Sequence, residues 1–231
     1  LGPNGAVKTT TSRMLCTLLE PTEGTAKVVG YDIRKQPAEV RRNIGVVSDG
    51  VELYGDLTAK ENLLLFGKLF GVPKDTLMKK TNDLLDFVGL TDRANDLVST
   101  FSTGMRKKIL IISSLIHNPK LLYLDEVTSG LDPQTAVSVR DLAQQLREQG
   151  ITVIWTTHYL DEPERLCDRV AIIYGGRILA LGTPKEVKSV ASASVTIEIT
   201  LNKQPSEQCL DYIKRLDGVI AVESHETSLN V

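Results

Sequence analysis

Residues 2–9 read Gly2-Pro3-Asn4-Gly5-Ala6-Val7-Lys8-Thr9, a glycine-punctuated run that closes on a lysine and a hydroxyl ahead of an apolar helical pattern. Polyphosphate chemistry asks for these residue types in this order. Backbone N–H groups curl around the phosphates, a helix N-terminus favours the anion, a lysine reaches the β- and γ-phosphates, and a hydroxyl serves Mg²⁺. Lys8 and Thr9 fill the last two roles, with Thr10 beside them. The pattern G-x-x-x-x-G-K-[ST] places a second glycine where Val7 stands. A β-branched side chain there is expected to crowd the phosphates or forbid the backbone angles the loop wants.

A second constellation is the apolar stretch 121–124 running into Asp125 and Glu126. Asp125 can hold Mg²⁺ through water and Glu126 can orient an attacking water. Taken alone, acidic residues at the solvated end of a core strand are common. Order sharpens the reading: Phe101-Ser102-Thr103-Gly104-Met105 opens a helix before this strand, while Ser129-Gly130-Leu131-Asp132 and then His158 follow it.

The elements that must position these groups follow from periodicity. A helical spacing of Met14, Leu15, Leu18 and Leu19 puts a helix over 8–19, and Pro21 to Gly24 make a turn. Short strands are expected at 26–29 and 44–47. Thr58-Ala59-Lys60-Glu61 reads as a capping box, with further helices at 74–88, 105–117 and 133–148. Strands at 121–124 and 152–155 alternate with those helices, which implies parallel strands joined by crossovers. A hairpin is expected around Gly175-Gly176, and Thr183 caps a helix that begins at Pro184. The small residues 191–194 read as a linker to a tail of strand 195–201, helix 206–216 and strand 219–222.

Composition narrows the classes. The chain has 231 residues, and 27 basic against 29 acidic residues give a net charge of -2, which offers no basic field for a nucleic-acid backbone. The longest apolar runs fall well short of the ~18 residues of a spanning helix. Cys16, Cys167 and Cys209 are scattered, without the spacing of a zinc site or disulfide framework, and a reducing cytosol suits them. No leader is evident. Leu1 reads as the end of a strand that begins upstream, and the tail is expected to continue past Val231. His117 and His225 lack a chemical context and are read as packing or solvated residues.

With these motifs in this order, residues 1–188 resemble the ATP-binding cassette (ABC) family. The run 124–133 carries the resemblance most specifically, departing only at Val127, where the family usually has proline. The signature usually reads Leu-Ser-Gly-Gly-Gln and here reads Phe-Ser-Thr-Gly-Met. The resemblance implies an α/β P-loop NTPase with a central, mainly parallel sheet and a helical subdomain at about 55–118 that bears the signature. A small C-terminal β-α-β appendage over 195–231 completes that architecture.

The resemblance also implies ATP and Mg²⁺ as ligands. The nucleotide would be held by Gly2, Pro3, Asn4, Gly5, Ala6, Val7, Lys8, Thr9 and Thr10, with Ser102, Thr103, Gly104 and Asp132 serving across a dimer interface. The metal would be held by Thr9, Asp125 and Asp49, the last standing where the family usually has glutamine. Glu126 and His158 would be catalytic. The family's adenine-stacking aromatic stands upstream of the loop.

Residues 53–63 and the tail resemble the drug-resistance, sodium-export and ABC-2 branch. That implies a separate ABC-2 type transmembrane permease, a second cassette as partner in a homodimer, and a cytoplasmic position on the inner face of the cell membrane. Val7, Asp49 and Thr103 leave open a second reading, a non-catalytic regulatory cassette with impaired nucleotide binding.

Overall fold

A computed structural model describes residues 1–3, 5–48, 50–159, 162–191, 198–214, 216, 219, 222–225 and 228–230. Asn4 and Asp49, and all of the expected linker but its first residue, lie outside the described residues.

Helix α1 (Lys8–Leu15) is shorter than its apolar spacing suggests. Thr17 turns to φ 61°, and the Leu18 and Thr17 amides donate back to Arg13 O (2.8 Å) and Met14 O (3.1 Å). This C-terminal cap leaves Leu18 and Leu19 exposed beyond the helix. Strands β1 (Lys27–Val28) and β2 (Tyr31–Asp32) pair antiparallel, and α2 (Pro37–Asn43) leads into β3 (Ile44–Val47). Helix α3 (Ala59–Leu69) opens on a complete capping box. Glu61 N donates to Thr58 Oγ1 (3.1 Å) and Thr58 N to Glu61 Oε2 (2.8 Å).

Next come α4 (Lys74–Phe87), α5 (Thr103–Leu115), β4 (Leu121–Asp125), α6 (Pro133–Glu148), β5 (Thr152–Thr156) and α7 (Glu162–Leu166). Strands β3, β4 and β5 form a parallel sheet, with Ile44 opposite Leu121 and Leu121 opposite Thr152. Helices α3 to α5 cross from β3 to β4, and α6 crosses from β4 to β5, as parallel pairing requires. Every residue of β4 is buried, as expected of a central strand covered on both faces. Leu122 and Leu124 pack with α3 to α6, while Leu121 and Tyr123 pack with Cys16, Val28 and Val40. Alternate side chains thus feed two cores. The parallel register brings Val47, Asp125 and Thr156 to one end of the sheet.

Strands β6 (Val170–Tyr174) and β7 (Arg177–Gly182) make the expected hairpin, with Gly175 at φ 53° and Gly176 at φ 76°. Helix α8 (Pro184–Ala191) begins at its proline. Then follow β8 (Glu198–Thr200), α9 (Glu207–Lys214), β9 (Glu223–His225) and β10 (Ser228–Asn230). The chain divides into two compact units: Leu1–Cys167 with Ala171–Leu179, and Asp168–Val170 with Ala180–Val231. The first holds the parallel sheet and both cores. In the second, β10 pairs antiparallel with both β8 and β9.

The tail corrects one expectation. Val219 and Val222 are not in a strand: Val219 N donates to Leu216 O (3.2 Å) in a turn, and the strands fall at 223–225 and 228–230. Among the described residues the appendage reads β-α-β-β.

Candidate active site

The glycine-rich loop is anchored at its start. The Leu1 amine donates to Ala171 O (2.9 Å) and Ile173 N donates to Leu1 O (2.8 Å), the pattern of a parallel strand beside β6. Gly2 lies so close to β6 that a Cβ there would stand 2.3 Å from Ile173 O. At the other end of the loop Val7 adopts φ 71°, ψ 19°. The expectation that valine would forbid this conformation is corrected. The left-handed angles form, with Val7 O accepting from Thr11 N (3.0 Å) and Thr11 Oγ1 (2.9 Å), and the side chain is 38% exposed. A non-glycine residue pays roughly 1–2 kcal/mol for this conformation, and the loop's hydrogen bonds hold it there.

Lys8 is 6% exposed. Its Nζ donates to Gly2 O (2.7 Å) and Pro3 O (3.1 Å) and lies 3.2 Å from Glu126 Oε1. Glu126 follows β4 at φ 48°, a second left-handed residue. Its amide donates to Thr156 O (3.1 Å) and Thr156 Oγ1 (3.2 Å), and the Thr156 hydroxyl in turn donates to Asp125 Oδ1. Thr156 thus fixes the Asp125 carboxylate and the Glu126 backbone, a role that nothing local in its neighbourhood of sequence discloses. His158 Nδ1 is buried, 3.4 Å from Glu126 Oε2 and without a hydrogen-bond partner. The two groups stand at ion-pair range without hydrogen-bond geometry.

Residues 5–10, Asp125 and Glu126 line a cavity of about 380 Å³. One wall supplies a helix N-terminus and a buried cation, and the other supplies carboxylate oxygens. Oxygen donors of this kind suit a hard divalent ion, but among the described residues no group of three His, Cys, Asp or Glu could hold a metal by itself. A Mg²⁺ fits here if Thr9 and Asp125 share it with phosphate oxygens and water.

Behind this wall, burial pushes the Cys16 thiol up to about 12, helped by the negative charge of Asp125. The Tyr123 phenol is also raised, mainly by burial.

The signature and the loop after β4 lie elsewhere in the first unit. Ser102 caps α5, its Oγ accepting from Met105 N (3.2 Å), and Asp132 caps α6, its Oδ1 accepting from Thr135 N (2.9 Å). The Thr135 hydroxyl and amide hold the Asp132 carboxyl below the usual carboxylate range. Gly104 closes the gap between the two helix starts, since a Cβ there would meet Thr135 Cγ2 at 2.5 Å. Ser102, Thr103, Gly104 and Asp132 form no part of the cavity lining. Sequence order brought all these residues into one list, and the fold sorts them into two groups on one chain.

Residues 1–129 match the family model described as ABC transporter. The chain belongs to the ABC transporter family. It is 41% identical over 231 residues to the linearmycin resistance ATP-binding protein LnrL of Bacillus subtilis, covering all of this chain and 74% of that protein. It is 44% identical over 228 residues to the daunorubicin/doxorubicin resistance ATP-binding protein DrrA of Streptomyces peucetius, covering 99% and 68%. Among solved structures, it resembles cbiO1 from Clostridium perfringens, part of the ABC transporter complex cbiONQ. That match has a TM-score of 0.74 at 28% identity over 82% of this chain and 77% of the other. The expected P-loop NTPase fold is the one observed, and the chain is an ABC ATPase of the drug-resistance and export branch.

Proposed function

We propose that this ABC ATPase binds MgATP between two copies of itself and couples hydrolysis to export through a separate ABC-2 type transmembrane permease, on the cytoplasmic face of the membrane. The observation that carries the reading is the division of the motif residues. Lys8, Asp125 and Glu126 meet at one cavity with His158 against Glu126, while Ser102, Gly104 and Asp132 gather at the starts of α5 and α6. A second copy placed head to tail would set those helix starts, with their N-terminal dipoles, against the phosphates.

Each group then has a task. Lys8 and the amides of the loop bind the phosphates, while Thr9 and Asp125 hold Mg²⁺. The bound metal would neutralise charge on the transferring phosphoryl. Glu126 orients the attacking water and accepts its proton. His158, whose buried ring nitrogen faces that carboxylate, steadies Glu126 and the phosphoryl oxygens. Asp49, outside the described residues, keeps its proposed place as an acceptor for metal-bound water.

The export reading draws on the names of LnrL and DrrA, both resistance proteins. No helix among the described residues is long and apolar enough to cross a membrane. In domain terms we assign 1–188 to the ATPase and 195–231 to an accessory domain.

Titration of the purified chain with a fluorescent ATP analogue and Mg²⁺ tests the site. Sub-millimolar binding that is lost in Lys8→Ala supports it. Equal binding by Lys8→Ala would remove the cavity from the account.

A further inference from the structure

Glu162 is 2% exposed, at the start of α7, and nothing in the reading above uses it. A buried carboxylate is costly unless its oxygens are satisfied and its charge is countered. Here Thr128 Oγ1 donates to Oε1 (2.9 Å), Trp155 Nε1 donates to Oε2 (3.0 Å), and Arg140 Nη1 lies 3.7 Å from Oε1.

The addresses of these partners are what matter. Thr128 stands two residues beyond Glu126 and opens the segment that ends at Asp132. Trp155 immediately precedes Thr156, whose hydroxyl and carbonyl fix Asp125 and Glu126. Arg140 lies on α6, the helix capped by Asp132. A core of similar volume built from aliphatic residues would seal the same space without a desolvated charge. The polar solution adds direction: each bond specifies where one strand end, loop or helix stands relative to the others.

We infer that Glu162 is a positioning residue for ATP hydrolysis. It locks the post-β4 segment and α6 to the end of β5, so that a shift at Asp132 on the dimer face reaches Glu126 and His158 rather than dissipating in the loop. This rests on the ATPase reading above. It assigns Glu162 no contact with nucleotide, so its loss should act on turnover and spare binding.

The test uses the full chain and three variants, with kcat and KM for MgATP, thermal midpoint, and the emission of Trp155, the only tryptophan in the chain. Thr128→Val removes one donor at nearly constant volume and Thr128→Ser restores it. Glu162→Gln removes the charge and leaves a single acceptor oxygen, so that either Thr128 or Trp155 loses its acceptor. The inference expects Thr128→Val and Glu162→Gln to lower kcat about tenfold or more with KM within about twofold. Thr128→Ser should stay within about twofold of wild type in both, and Glu162→Gln should shift the Trp155 emission.

If Glu162→Gln does not fold, the Thr128 pair alone decides. Unchanged kcat in Thr128→Val, or loss in Thr128→Ser equal to that in Thr128→Val, overturns the inference. So does a kcat that falls only in step with thermal stability. A wild-type chain without turnover overturns the ATPase reading itself, and the inference with it.

Discussion

Val7 and Glu126 both line the proposed phosphate cavity, and both hold left-handed backbone angles that side chains ordinarily avoid. For Val7 the strain serves the loop and glycine would supply the same angles freely. Val7→Gly removes roughly 1–2 kcal/mol of left-handed strain and gives back part of it as chain entropy. A net gain of about 1 kcal/mol, or roughly 2–4 °C in thermal midpoint, is expected. Calorimetry of the two chains checks this, and a lower midpoint for Val7→Gly would mean that the valine side chain packs more than it strains. Fluorescent-nucleotide affinity should rise in the same variant, because the Cβ substituents leave the cavity wall.

The thiols give a second residue-scale prediction. With its thiol raised to about 12 and nearly inaccessible, native Cys16 should resist alkylation at pH 8, whereas the exposed Cys209 should react readily. Mass spectrometry of the labelled peptides distinguishes them, and rapid labelling of Cys16 would contradict the packing behind the phosphate loop.

Among the elements, the connection from α5 to β4 carries a pH dependence. His117 stacks on Phe70 with ring centroids 3.9 Å apart, and its Nε2 donates to Ile44 O (3.0 Å), leaving Nδ1 buried and unpartnered. Burial lowers its pKa and the charge of Lys80 lowers it further, against the opposing pull of the hydrogen bond to Ile44. The folded chain therefore keeps this ring neutral where the unfolded chain has begun to protonate. Above about pH 6.5 both states are neutral and the histidine is silent, and below it the fold is penalised progressively. The lowered carboxyls of Glu61, Asp32, Asp132 and Glu186 act in the same direction at lower pH, stabilising above their ordinary values and losing that contribution only in more acid solution. Urea midpoints at pH 8 and pH 5.5 should drop in wild type and drop less in His117→Gln. An equal drop in both would assign the pH dependence to other groups.

The same scale shows what the sequence could disclose. Thr58 and Glu61 announced their capping box because both halves of it lie three residues apart, and the apolar run ahead of Asp125 announced a buried strand. Thr156, Glu162 and the contact of Gly104 with Thr135 were invisible because their partners lie far along the chain, brought together only by the sheet and its crossovers. Thr17 hid the end of α1, since nothing marks a threonine as ready for left-handed angles. The tail strands were misplaced for a related reason: short antiparallel strands are defined by their pairing, and Val219 favoured a strand by propensity while its backbone closed a turn.

At the scale of the whole molecule, one chain carries two half-sites, and under the proposed function ATP turnover needs both halves from different copies. Mixing two inactive chains tests that directly. Lys8→Ala disables the phosphate loop but keeps the signature, while Ser102→Asp keeps an N-cap for α5 yet sets a negative charge against the phosphate. In a mixed dimer one site combines the intact loop of one copy with the intact signature of the other. Random pairing would then restore about one quarter of wild-type sites. The measurement is MgATP turnover of each variant alone and of the mixture. The account predicts two silent preparations that regain turnover when combined. A mixture no more active than the sum of its parts, beside an active wild type, would contradict it.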